Sequence, residues 1–136
     1  KSNDHGMQQL LQLTNGWVNP GLMMANLVEF DSIYGHRNDA RGYGRALERV
    51  DAQLALLIDS LKDTDLLIIT ADHGCDPTVA GTDHTREFVP LLAYHLQSRG
   101  GSLGIRTSFA DVAATVAENF SLNALKYGES FLNKVI

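Results

Sequence analysis

The sequence predicts an α/β fold in which a mostly parallel sheet is flanked by helices, and three features carry that expectation. The run Leu66-Leu67-Ile68-Ile69 is short and wholly apolar, as a buried strand is. Before it lies a strongly amphipathic stretch with Leu47, Val50, Leu54, Leu57, Ile58 and Leu61 at spacings of three and four, and Glu48, Arg49, Asp51, Gln53 and Asp59 on the other face. Earlier still, Leu22 to Phe30 is mostly apolar but too short and too poorly periodic for a helix, and reads as a buried strand ending at Asp31. Strand, helix and strand in that order form, almost always, a right-handed parallel crossover. Asp31 and Asp72 would then share the carboxyl edge of one sheet, where open α/β sheets bind their ligands.

The remaining elements follow from local signals. Ser2, Asn3 or Asp4 can cap a first helix through Met7, Leu10, Leu11 and Leu13, which Asn15-Gly16 and Asn19-Pro20-Gly21 interrupt. The stretch from Ser32 to Gly44 is polar and rich in glycine, and reads as a loop. Lys62-Asp63-Thr64-Asp65 ends the amphipathic helix, and Phe88 to Tyr94 reads as a third strand, with Pro90 marking an edge position or an irregular start. Gln97 to Gly104 is a loop. Thr107 or Ser108 then caps a helix through Phe109, Val112, Ala113, Val116 and Ala117, stopped by Asn119 and Ser121-Leu122-Asn123.

Composition narrows the function classes. With 136 residues, 44% of them hydrophobic, the chain forms one globular domain over residues 1–136. A formal charge of −5 with scattered Lys and Arg argues against a nucleic-acid-binding surface. No apolar window approaches the roughly 20 residues of a membrane span. A single cysteine, Cys75, excludes an internal disulfide and favours the cytoplasm. The start at Lys1, without an initiator Met, suits a piece of a longer protein.

Five side chains gather around the expected sheet edge: Asp31, His36, Asp72, His73 and His84. Two carboxylates and three imidazoles suit Mn²⁺ or Zn²⁺ better than Ca²⁺ or a thiolate-bound structural zinc. Five donors exceed one tetrahedral site and fit two ions sharing a phosphoryl-transfer centre. Against this stands ordinary turn chemistry with solvated histidines, and His5 and His95 are expected to be structural or surface residues. Arg37 and Arg86 adjoin the candidate ligands and could grip a phosphate, or simply pair with Asp39 and Glu87. Cys75 reads as a packing residue, since no general base accompanies it.

The motifs Phe30-Asp31-x-x-Tyr34-Gly35-His36-Arg37-Asn38-Asp39, Ile69-Thr70-Ala71-Asp72-His73-Gly74-Cys75-Asp76-Pro77-Thr78 and Gly81-Thr82-Asp83-His84-Thr85-Arg86-Glu87 occur in that order. Together they resemble the carboxyl-terminal part of the phosphopentomutases, members of the alkaline phosphatase superfamily. Leu103-Gly104-x-Arg106-Thr107-Ser108-Phe109-Ala110-Asp111 and Tyr127-Gly128-Glu129-Ser130-Phe131 resemble later motifs of that family. The resemblance implies part of an alkaline-phosphatase-like core domain and a metal-dependent interconversion of ribose or deoxyribose 1-phosphate and 5-phosphate. It further implies two Mn²⁺ ions, a phosphothreonine intermediate and a sugar bisphosphate activator, with Asp31, His36, Asp72, His73 and His84 as metal ligands.

The departures are an amino-terminal Asp ligand, the nucleophilic threonine and the sugar-binding cap domain, none of which has a counterpart here. Thr70, Thr78, Thr82 and Thr85 lie in other motifs, so no residue of this chain is assigned as catalytic. Two alternatives stand beside the mutase expectation. One is another mutase or phosphatase of the same superfamily; the other is a non-catalytic metal-binding or interaction domain with an exposed sheet edge.

Overall fold

A computed structural model describes residues 2–136. Its elements are helix α1 (Asn3–Gly16), a π-helical turn (Phe30–Tyr34), a 3₁₀ turn (Gly35–Arg37), helix α2 (Ala40–Ser60), strands β1 (Leu67–Thr70) and β2 (Leu91–Tyr94), helix α3 (Ala110–Asn119) and a closing 3₁₀ turn (Leu132–Lys134). They divide into two compact units, one of residues 1–61 with 73–88, the other of residues 62–72 with 89–136.

In the first unit α1 packs against α2. Ser2 caps α1 by accepting a hydrogen bond from the backbone N–H of His5 at 3.2 Å. Met7, Ala46 and Leu57 are its buried apolar side chains. The expected apolar stripe of α2 is rotated at its start: Ala46 is buried, whereas Leu47 is half exposed. The helix also begins earlier than the glycines suggest. Asp39 caps it by accepting from Gly42 N–H at 2.8 Å, so Gly42 and Gly44 lie within its first turns and not in a loop. Gly42 is required there by space, because a Cβ would run into the carboxylate of Asp39 and the ring of Tyr34.

The expected strand over Leu22 to Phe30 does not form. Residues 21–27 are irregular, and Leu22 and Met24 are exposed. A strand buried on both faces needs hydrogen-bonding neighbours, and among the described residues nothing pairs with this run. The parallel crossover therefore does not form either. The observed sheet has two strands, β1 and β2, running antiparallel with Leu67 opposite Tyr94 and Thr70 opposite Leu91. β2 starts just after Pro90, as the missing N–H of proline favours.

In the second unit the two late sequence motifs prove to be one structure. Asp111, buried at the start of α3, accepts from Glu129 N–H at 2.9 Å and from Arg106 Nε at 2.7 Å, while Arg106 Nη2 donates to the Glu129 carbonyl at 2.7 Å. One turn on, the hydroxyl of fully buried Thr115 donates to the Asp111 carbonyl and accepts from Phe131 N–H at 3.0 Å. Phe131, wholly buried, lies under the Arg106 guanidinium at 5.8 Å. Ser108 accepts from Ala110 N–H at 3.1 Å ahead of α3, and the helix stops with Ser121 in the left-handed region at φ 54°.

The hydrogen bond from Glu129 N–H, followed by the Arg106 contacts, holds the Asp111 carboxyl below the usual carboxylate range despite its burial. A group whose pKa falls on folding stabilises the fold above its unfolded pKa and ceases to do so as pH drops through the folded one. Asp111→Asn should therefore lose about 1–3 kcal/mol at pH 7. Its deficit relative to the parent chain should shrink below about pH 4, as urea unfolding curves across pH 3 to 7 would show.

Candidate metal centre

Asp31 reaches the site on an irregular turn. Asn3 N–H donates to Glu29 Oε2 at 2.6 Å and Glu29 N–H returns a bond to Asn3 Oδ1 at 3.1 Å, tying this segment to the start of α1. The carboxylate of Glu29 also suits the positive end of that helix. At the next residue the backbone widens into the π-helical turn that carries Asp31, a geometry frequent at functional sites. The 3₁₀ turn then delivers His36.

The other donors come from the loop after β1. Gly74 and Thr85 form an isolated antiparallel bridge, with Thr85 N–H donating to the Gly74 carbonyl at 3.2 Å. A Cβ on Gly74 would collide with the backbone of Thr85 and Glu87, so only glycine permits this approach. The bridge sets His73 and His84 face to face, their ring centroids 3.7 Å apart and their planes 19° from parallel. His36 lies beside His84 with centroids at 4.9 Å.

Asp31, His36 and His84 converge: one donor atom from each lies within 4.8 Å of the others. Asp31 Oδ1 is 3.3 Å from His36 Nε2 and 3.3 Å from His84 Nε2. Yet Oδ1 is buried and takes part in no hydrogen bond. On the far side of its ring, His36 Nδ1 bonds the Thr82 carbonyl, and His73 Nδ1 meets the Gly74 carbonyl at 3.1 Å. A carbonyl can only accept, so both Nδ1 atoms carry the proton and each neutral ring keeps its lone pair on Nε2. Outer carbonyls that fix the tautomer in this way typify metal-binding histidines.

The donor set fits a divalent ion. The buried Asp31 Oδ1 makes no hydrogen bond while facing His36 Nε2 and His84 Nε2 at 3.3 Å, a gap that a proton on an imidazole or a cation would fill. Two ligands with bonds of about 2.1 Å to a common tetrahedral ion would sit about 3.4 Å apart. His73 shares the tautomer and stacks on His84 without joining the three-donor cluster. Asp72 is exposed at the end of the β1 segment and belongs to the other unit.

Arg37 and Arg86 are both exposed. The Glu87 carboxylate accepts from the Thr85 hydroxyl at 2.6 Å, and Asp39 caps α2. Asp76 accepts from Thr78 Oγ1 at 2.6 Å and from Thr78 N–H at 2.8 Å, the first bond contributing most to holding its carboxyl below the usual range. Burial, then the carboxylates of Asp31, Glu87 and Asp76, push the Cys75 thiol up, which keeps it protonated and unlike an activated nucleophile.

A family model described as the metalloenzyme superfamily matches residues 2–124. The chain belongs to that superfamily. As a metalloenzyme chain it is also similar to the phosphopentomutase of Caldanaerobacter subterraneus subsp. tengcongensis, with 50% identity over 135 residues. The match takes in 98% of this chain and 34% of that relative, so the chain spans about a third of the length of the curated protein it matches.

Adding Mn²⁺ or Zn²⁺ should raise the thermal midpoint of the chain, and a chelator should reverse the rise. Asp31→Asn should abolish that response. In the metal-free chain, the same change should cost no more than about 1 kcal/mol, because the contacts of Asp31 with His36 and His84 are partly exposed. Scanning calorimetry with and without metal reads both effects.

Proposed function

We propose that this chain is the carboxyl-terminal, metal-holding part of a phosphopentomutase. In the whole protein it would serve the interconversion of ribose or deoxyribose 1-phosphate and 5-phosphate. The observation that carries this is the convergence of Asp31, His36 and His84 on one centre, with His36 oriented by the Thr82 carbonyl. Half-identity to a phosphopentomutase along nearly the entire chain supports the substrate class.

His36 and His84 would bind through Nε2 and Asp31 through Oδ1; the resemblance to the phosphopentomutases, and not the geometry, adds His73 and Asp72 as the remaining ligands of a pair of Mn²⁺ ions. Bound there, divalent ions supply the charge that phosphoryl transfer needs on its equatorial, entering and leaving oxygens. Outside the ligands, Arg37 and Arg86, both exposed, would meet the phosphate of a pentose phosphate.

The nucleophilic threonine, a further Asp ligand, the strands that would extend β1 into a mostly parallel alkaline-phosphatase-like core, and the sugar-binding cap would all come from the rest of the protein. A sugar bisphosphate would prime the threonine. No helix of the described residues is long and apolar enough to cross a membrane, and we place the enzyme in the cytoplasm.

With Mn²⁺, the full-length protein should convert ribose 1-phosphate to ribose 5-phosphate in preference to any turnover of phosphoglycerate. His84→Ala should lower kcat/KM by about 100-fold or more. The 136-residue chain alone should show no turnover. Preference for phosphoglycerate would overturn the substrate assignment, and robust turnover by the chain alone would overturn the absence of the nucleophile.

A further inference from the structure

The turn from Gly35 to Asn38 carries His36 but faces the 75–82 loop through residues with no part in metal chemistry. Gly35 is buried, with φ −61° and ψ −63°, values any residue adopts. Its lack of a side chain is a matter of space alone. A Cβ there would overlap Cys75 Sγ and stand 3.0 Å from the Phe30 carbonyl, while Cys75 Cβ would lie at an ordinary 3.8 Å.

Three residues on, Asn38 takes the left-handed conformation at φ 52°. Its side-chain amide donates to the Val79 carbonyl at 2.7 Å and, more weakly, to the Pro77 carbonyl at 3.5 Å. Between these two points His36 bonds the Thr82 carbonyl, two residues before His84.

We infer that Gly35 and Asn38 are positioning residues: they key the His36 turn into the 75–82 loop, Gly35 against Cys75 Sγ and Asn38 on the Val79 carbonyl, and so set His36 Nε2 against Asp31 and His84. The inference rests on the metal reading above. Cys75 acts in it as a packed surface, not as a ligand or nucleophile. Displacing the turn by even a few tenths of an ångström moves the Nε2 donor while leaving the helices α1 and α2 and their buried side chains intact.

The test measures Mn²⁺ affinity in the full chain by electron paramagnetic resonance, with the metal-free thermal midpoint recorded alongside. Gly35→Ala should weaken Mn²⁺ binding about 10- to 100-fold, the range seen when the supports of metal ligands are lost. Adding Cys75→Ala should restore most of that affinity, the residual deficit reflecting the Phe30 carbonyl. Asn38→Gly, which keeps the left-handed backbone and removes only the amide bonds, should weaken binding without lowering the midpoint by more than a few degrees.

Parental affinity in Gly35→Ala, or a double variant binding no better than the single one, would overturn the inference while leaving the metal centre standing. Failure of the parent chain to bind Mn²⁺ would instead overturn the metal reading and this inference with it. Should Gly35→Ala alone unfold, Asn38→Gly decides: parental affinity there counts against the keyed turn.

Discussion

The first unit is built around three donor atoms brought together on one centre. Asp31 Oδ1, His36 Nε2 and His84 Nε2 meet at 3.3 Å from oxygen to each nitrogen, without a hydrogen bond to the oxygen. Left to themselves, such groups would rotate to water or trade a proton. They are held by anchors on their outer sides: the Asn3 and Glu29 exchange behind Asp31, the Thr82 carbonyl behind His36, and the Gly74 to Thr85 bridge beside His84. Each anchor uses backbone groups or a side chain fixed by backbone, so the arrangement is held by bonds that a metal would not disturb. A cation converts the same arrangement from a local cost into a binding site, as expected where function keeps an unfavourable local choice.

How far the sequence could foretell this depends on the range of the signals. Helices α1 and α2 were legible because capping and periodicity are local, and β1 because a short apolar run after a helix has few alternatives. The run from Leu22 to Phe30 was not. Apolar composition records that a segment is to be covered, without recording by what, and the pairing that makes a strand lies outside the segment. Asp31 was thus expected at a strand end and stands instead on a π-helical turn, yet it meets His84 all the same. Its place follows from Glu29 docking on α1, a contact between residues 26 apart that no periodicity displays.

Two other features were present in the sequence without a visible reason. Asp39 in front of Ala40-Arg41-Gly42 is a capping signal obscured by the glycines that accompany it, although Gly42 is the residue the cap requires. The Arg106 to Asp111 and Gly128 to Phe131 motifs looked independent because 16 residues of helix and loop lie between Asp111 and Gly128. In the fold they are the two halves of one knot around the Asp111 carboxylate and the Thr115 hydroxyl. A motif pair of this sort maintains a local structure, and it is distinguished from a catalytic pair by burial and by the use of both Asp111 oxygens and the Thr115 hydroxyl within the knot.

Glycine shows most clearly why residue identity alone underdetermines a role. Gly128 has φ 91°, and a Cβ would also meet the Ala110 carbonyl, so both conformation and space exclude other residues. Gly35 has an ordinary helical conformation, and the helix propensity of alanine would favour replacement by a few tenths of a kcal/mol to about 1 kcal/mol. What opposes that gain is chiefly the sulfur of Cys75 across the loop, with the Phe30 carbonyl behind it. A backbone that prefers alanine on local grounds and holds glycine on tertiary grounds marks a contact whose closeness matters. Since the turn so constrained carries His36, the closeness is felt first at Nε2. The packing of Cys75 and the donor geometry of the centre are in this sense a single constraint, seen from the two ends of a three-residue turn.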